Sequence, residues 1–200
     1  MRRQTIKELR RAELISAAVS AIHQHGFADL TVSQIAKDAE TSTGSIHYYF
    51  GGKEALLEAT MRHLMTVLST VVRHRLGAAQ GPRERLSAMV LANFDEGFFS
   101  PETCTVWTQF WAYAPYIERL ARLQRMNKAR VRSNLNHALG PLVPDNVRDQ
   151  MRFAIQSYMD GVWVHVAQAK VAVTPETAQQ DAAEFLSLLV DPFQPNFQHD

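Results

Sequence analysis

The stretch from Thr31 to Lys53, TVSQIAKDAETSTGSIHYYFGGK, constrains the fold more than any other part of the chain. It reads as two short helices around a tight polar turn, followed by a Gly-Gly bend into a third helix. Thr31 stands where it can cap the first helix, with Gln34 in the capping-box position. Val32, Ile35, Ala36 and Ala39 recur at helical spacing and predict a buried stripe. Glu40, Thr41 and Ser42 make the turn, and Ser42 caps the second helix. Its predicted inner side is Ile46, Tyr49 and Phe50, which leaves Thr43, Ser45, His47 and Tyr48 facing elsewhere.

A short helix rich in hydroxyls and aromatics, held by a helix in front of it, is the arrangement that reads a DNA major groove. Gly51, Gly52 and Lys53 would bring a cation and a helix N-terminus to the phosphate backbone. The expected DNA-contacting residues are Thr31 and Ser33 on the first helix and Ser42, Thr43, Gly44 and Ser45 at the start of the second. His47, Tyr48, Tyr49 and Lys53 complete the set.

The remainder of the chain continues the helical pattern. Ile6, Leu9, Leu14, Ala18 and Ile22 mark a first helix over about Thr5–His25, which Gly26 ends, with Phe27 and Leu30 packed behind it. No proline or glycine interrupts Lys53–Leu76, so a long rod is expected, buried along Leu57, Met61, Leu64, Leu68 and Val71. Pro82 opens a fifth helix to about Glu96. A sixth runs from Ser100-Pro101-Glu102 to about Tyr113, and a seventh follows Pro115 to about Leu139. The eighth spans about Pro144–Lys170, and Thr174-Pro175-Glu176 opens a ninth that ends near Val190. The tail DPFQPNFQHD has no period and is expected to be loose. With no strand pattern and no repeat, the expected fold is all-α with nine helices. The expected division places a DNA-binding domain at 1–53 and a ligand-binding and dimerisation domain at 54–200.

Charge and cysteine content narrow the partners. The net charge is only +1, which argues against a general polyanion binder, but Arg2, Arg3, Lys7, Arg10 and Arg11 face only Glu8 at the N-terminus. Beside a helix-turn-helix, that basic end suits phosphate contact. A single cysteine, Cys104, excludes an internal disulfide and suits a reducing, cytoplasmic setting. The charged N-terminus has no apolar run behind it, so no signal peptide is expected, and no segment approaches a membrane span.

An enzyme is disfavoured. His23, His25, His63, His74, His137 and His165 show no metal-binding spacing, so neither a metal site nor a catalytic residue is expected. DNA contact accounts better for His47, and Cys104 lacks a nearby partner in sequence and reads as a structural thiol.

The segment TVSQIAKDAETSTGSIHYYFGGKEALL closely resembles the DNA-binding region of the TetR family of bacterial repressors. The likeness rests on a hydroxyl before the first helix, the Ile35-Ala36 pair, Ser42, Gly44, the aromatic run to Phe50, and Lys53-Glu54-x-Leu56-Leu57. It covers roughly residues 9–57. It implies a homodimer joined through helices eight and nine, operator DNA as partner, and a small-molecule effector held within helices four to eight. The family usually carries glycine where this chain has Glu40, and a left-handed residue there would cost glutamate about 1 kcal/mol. Within that family, STGSIHYYFGGKEALLEATMRHL, TVWTQFWAYAPY and the surroundings of Trp163 resemble choline-responsive repressors of glycine betaine synthesis genes. This resemblance implies choline as effector, with no cofactor. Another small cationic or aromatic-binding ligand, as in a regulator of efflux, is the alternative.

Aromatic residues supply the physical counterpart. Phe94 and Phe98 are four residues apart, as are Trp107 and Trp111. Phe110 and Tyr113 lie beside the tryptophans, and Tyr158 and Trp163 share the eighth helix. A quaternary ammonium has no N–H to donate, so aromatic faces are what can hold it. Asp95, Glu96 or Asp160 could balance the charge.

Overall fold

The computed structural model describes residues 2–168 and 173–193, with side chains from Ile6 onward. The fold is all-α. Among the described residues nine α-helices follow one another: α1 Arg2–His25, α2 Val32–Asp38, α3 Thr43–Phe50, α4 Lys53–Ala78 and α5 Pro82–Leu91, then α6 Pro101–Tyr113, α7 Glu118–Leu139, α8 Asp145–Gln168 and α9 Pro175–Val190. Single 3-10 turns occupy Ala92–Phe94, Ala114–Tyr116 and Asp191–Phe193. None of these helices is long and apolar enough to cross a membrane.

The chain packs as two compact units, one from residues up to Thr66 with Glu102–Gln124, the other from Val67–Pro101 with residues from Arg125 on. Packing therefore groups α6 and the start of α7 with the N-terminal helices. The first core holds Leu14, Ala18, Ile22, Phe27, Leu30, Ile35 and Ile46, with Leu56, Leu57 and Met61 from α4 and Cys104, Val106 and Phe110 from α6. Gly26 ends α1 at φ +74, donating its N–H to Ile22 O at 2.9 Å. Phe27 beyond it donates its N–H to the Gln109 carboxamide at 3.3 Å and stacks on Tyr113 at 5.1 Å. In the first turns of α1, Ile6 and Leu9 are 54% and 60% exposed. The buried stripe of α1 begins at Leu14.

The second core is built from Leu86, Val90, Phe94, Leu135, Leu139, Ile155, Met159, Trp163, Leu186 and Val190. Here the expected fifth helix is too long. It stops at Leu91, and after the 3-10 turn Asp95 is extended at φ −73, ψ 139. Asp95 organises the reversal itself. Its carbonyl accepts from Phe98 N–H at 2.9 Å and Phe99 N–H at 2.7 Å, and its carboxylate accepts from Gly97 N–H at 3.3 Å. A short polar side chain that satisfies nearby backbone competes with helix continuation. Thr174 caps α9 by accepting from Thr177 N–H at 3.2 Å, and Pro175 follows as first helical residue. The expected loose tail forms a 3-10 turn at Asp191–Phe193, and its remainder lies outside the described residues, as does the expected end of the eighth helix at Lys170.

Candidate functional site

The α2–α3 unit is held by local hydrogen bonds that the residue types dictate. Thr31 Oγ1 accepts from Gln34 N–H at 3.2 Å, and Gln34 Oε1 accepts from Thr31 N–H at 2.7 Å, closing a capping box. In the turn, Glu40 takes φ +48, the only positive φ on a described residue other than glycine. That left-handed residue lets Glu40 and Thr41 donate their N–H groups to Lys37 O at 3.1 Å and Ala36 O at 2.9 Å. Ser42 then caps α3, accepting from Ser45 N–H at 3.2 Å. At the far end Gly51, at φ +84, donates its N–H to His47 O at 2.8 Å.

These anchors decide which α3 side chains are available. Thr43, Gly44 and His47 are exposed, and Tyr48 is 76% exposed, so four of the expected residues share an open surface. Ser45 is not part of it. Its hydroxyl accepts from Thr41 Oγ1 at 3.0 Å, lies 3.1 Å from Ser42 Oγ, and is half-buried. On the inner side only Ile46 is fully buried, whereas Tyr49 and Phe50, expected there too, are half-buried. The Tyr49 ring meets Tyr48 edge-on at 5.0 Å, and Phe50 carries the Arg11 guanidinium 4.3 Å above its ring. Thr31, the N-cap of α2, and Ser33 within it are exposed, and Lys53 is half-buried as the first residue of α4.

The basic N-terminus divides into separate roles. Lys7 is exposed, and Arg10 pairs with Glu13 at 2.7 Å on the surface. Arg11 turns inward and donates to Tyr49 O. The side chains of Arg2 and Arg3 lie outside the described set. Sequence reasoning had no signal for Arg11 as an internal contact, since its hydrogen-bond partner Tyr49 is 38 residues away.

The aromatic candidates form two clusters, one in each unit. In the first, Trp107 meets Phe110 at 5.9 Å and Trp111 at 6.2 Å, while Tyr113 is committed to Phe27. In the second, Trp163 packs with Phe98 at 5.5 Å and Phe99 at 6.2 Å. Phe94 lies edge-on to Phe99 at 5.3 Å and to Tyr158 at 6.4 Å, and Tyr158 stacks on Phe185 at 4.1 Å. Phe99 and Phe185 were not among the sequence candidates. The turn at Asp95 points Phe98 and Phe99 inward together, which helical spacing would not do.

The three candidate counter-charges differ sharply. Arg75 donates to Asp95 through Nη2 at 2.8 Å and Nε at 3.2 Å, so that carboxylate is already matched. Glu96 is exposed. Asp160 lies one turn before Trp163 on α8, where burial pushes its carboxyl up to about 6 and the charge of Lys128 on α7 opposes the rise.

A pinned recognition helix opening an all-α chain defines a helix-turn-helix transcriptional regulator. Comparison with known proteins narrows the class. Residues 14–60 match the profile of bacterial regulatory proteins of the tetR family, and residues 82–191 match that of the C-terminal part of BetI-type transcriptional repressors. The chain belongs to the TetR family, as a DNA-binding transcriptional repressor with a BetI-type C-terminal part. The HTH-type transcriptional regulator BetI of Ectopseudomonas mendocina (strain ymp) is 39% identical over 188 residues, covering 92% of this chain and 94% of that one. Its namesake from Burkholderia thailandensis is 35% identical over 188 residues, covering 94% and 96%. Among solved structures, a transcriptional regulator from Pseudomonas aeruginosa PAO1 has a TM-score of 0.76 at 25% identity, with 91% and 90% covered. A regulator from Saccharomonospora viridis, solved in complex with choline, shares the fold with a TM-score of 0.77 at 19% identity, with 90% and 96% covered. These relatives are regulators and not enzymes.

Proposed function

We propose that this chain is a homodimeric, cytoplasmic repressor of choline uptake and glycine betaine synthesis genes, responsive to choline in osmotic stress. In this reading residues 1–53 are the DNA-reading part, and one α3 from each subunit enters successive major grooves of a near-palindromic operator. Half-sites then lie about 34–36 Å apart, one helical turn, or a simple multiple of it. Thr43, His47 and Tyr48 meet base edges, and Gly44 leaves room for close backbone approach. Thr31, Ser33, Ser42, Tyr49 and Lys53 set register on the phosphates.

The observation that carries the effector reading is the second aromatic cluster, with Asp160 three residues before Trp163 on α8. Phe98 and Trp163 are buried with their rings 5.5 Å apart, and Asp160 lies on the same helix as Trp163 with its ionisation held back by burial. A permanent cation among aromatic faces restores that ionisation and gains from both. Phe94 and Tyr158, in the same unit, belong to the same reading as supporting aromatics. The dimer reading is supported by exposed apolar groups on α8 and α9: Phe153 at 67% and Leu188 at 79%. Leu188 borders a shallow groove of about 590 Å³ on α9.

Calorimetry with choline and with its uncharged carbon isostere tests the effector reading, alongside a gel shift on the DNA upstream of the gene. The isostere should bind about thirty- to a thousandfold more weakly, two or three cation–ring contacts being lost. Equal affinity for the two compounds removes the aromatic cage. Choline that binds free protein and DNA complex equally is no inducer, because linkage demands a difference.

A further inference from the structure

Helix α3 has eight residues and a single fully buried side chain, Ile46. A helix this short is not stable alone, so its packing and end contacts decide how it sits. Ser42 fastens its N-terminal end. At the other end the last carbonyls lack partners within the helix. Gly51 N–H takes that of His47, and Arg11 Nη1 takes that of Tyr49. The same guanidinium lies over the Phe50 ring at 4.3 Å and sets a positive charge against the negative end of the helix. Arg11 is half-buried, whereas Lys7 and Arg10, the other lysine and arginine of α1 with described side chains, are exposed.

We propose that Arg11 is a positioning residue for DNA reading. It fixes the C-terminal end of α3 against α1, and with it the angle at which His47 and Tyr48 meet the bases, while binding no phosphate itself. An arginine in a basic N-terminal run would ordinarily be read as a phosphate contact. Here its donors and its planar face are turned to Tyr49 O and to Phe50, two groups that flank the end of the recognition helix. The inference rests on α3 being the element that reads base edges.

Salt dependence separates positioning from phosphate binding. Two duplexes serve as probes, one selected from a random-sequence library with the unaltered protein, the other the same bases scrambled. Arg11→Ala, titrated by active concentration, should bind the selected duplex about ten- to thirtyfold more weakly, the effect of a lost charge-assisted hydrogen bond. Its affinity for the scrambled duplex and its slope of log K against log salt should match the unaltered protein. A slope reduced by about 0.9, with both duplexes weakened alike, would make Arg11 a phosphate contact and overturn the assignment. Unchanged affinity for the selected duplex overturns it as well. Should Arg11→Ala fail to fold, Arg11→Lys carries the same readouts. Lysine keeps the charge but not the planar face, so an intermediate loss with unchanged slope is expected. At a phosphate lysine substitutes with little loss, so full affinity for the selected duplex refutes the positioning role. Tyr48→Ala in the same assay distinguishes the two levels: if it too leaves both duplexes unaffected, α3 is not the reading helix and both readings fall.

Discussion

Asp160→Asn isolates the charge that burial opposes. Asparagine keeps the shape of the side chain and removes its ionisation. In the folded chain the carboxyl is pushed from 3.8 up to about 6 by burial, so the native state holds a proton that the unfolded state has released. Between about pH 4 and pH 6 the folded protein binds more protons than the unfolded one, and stability falls as pH rises through that window. Above it the full penalty applies, on the order of 2–3 kcal/mol at 1.36 kcal/mol per pKa unit. Below about pH 4 both states are protonated and the penalty vanishes. Asp160→Asn should therefore be more stable than the unaltered protein at pH 7 and equal to it near pH 4. Urea unfolding at fixed protein concentration across this range measures the difference. In the proposed reading, bound choline would turn the same charge to advantage, and choline itself has no group that titrates there. With about a tenth of the carboxyl ionised at pH 5, choline should bind roughly tenfold more weakly than at pH 7. The Asp160→Asn protein should bind it weakly at both. If Asp160→Asn is no more stable at pH 7, burial does not hold the charge back. If choline affinity is independent of pH in the unaltered protein, Asp160 does not face the cation.

Glu40→Gly should stabilise the protein by about 1 kcal/mol, read from the urea midpoint, because glycine relieves the left-handed residue in the turn. Lys53→Ala should weaken selected and scrambled DNA alike and lower the salt slope by about one unit; an unchanged slope removes Lys53 from the phosphate contacts. Leu188→Glu, which places a charge at the most exposed apolar residue of α9, should shift sedimentation at micromolar concentration from dimer to monomer with the helical circular dichroism retained. A dimer unaffected by that charge would locate the interface elsewhere.

The order and type of the elements were legible because their determinants are local. A capping threonine and its glutamine lie three residues apart at Thr31 and Gln34, and Ser42 and Thr174 each bond a backbone amide three residues on. Gly26 and Gly51 end helices through backbone geometry that no other residue adopts as readily. Where the structure adds what periodicity does not represent, a side chain has found a partner. Ser45 has the right position for base contact and spends its hydroxyl on Thr41 and Ser42. Asp95 looked like a continuation of the fifth helix and instead folds the backbone around its own carbonyl and carboxylate.

The sequence by itself determined an all-α chain, the place and caps of its helix-turn-helix, and the family to which it belongs. These follow from propensities, caps and breakers that act within a few residues, and so are written in consecutive letters. Only the tertiary structure decided which residues remain free to act. Arg11 meets Tyr49 O across 38 positions, Phe27 N–H meets Gln109 across 82, and Gln179 donates to Phe94 O across 85. Such contacts depend on how helices pack, and packing alone decides whether a basic residue is left for phosphate, an aromatic for a cation, or a carboxylate without its water.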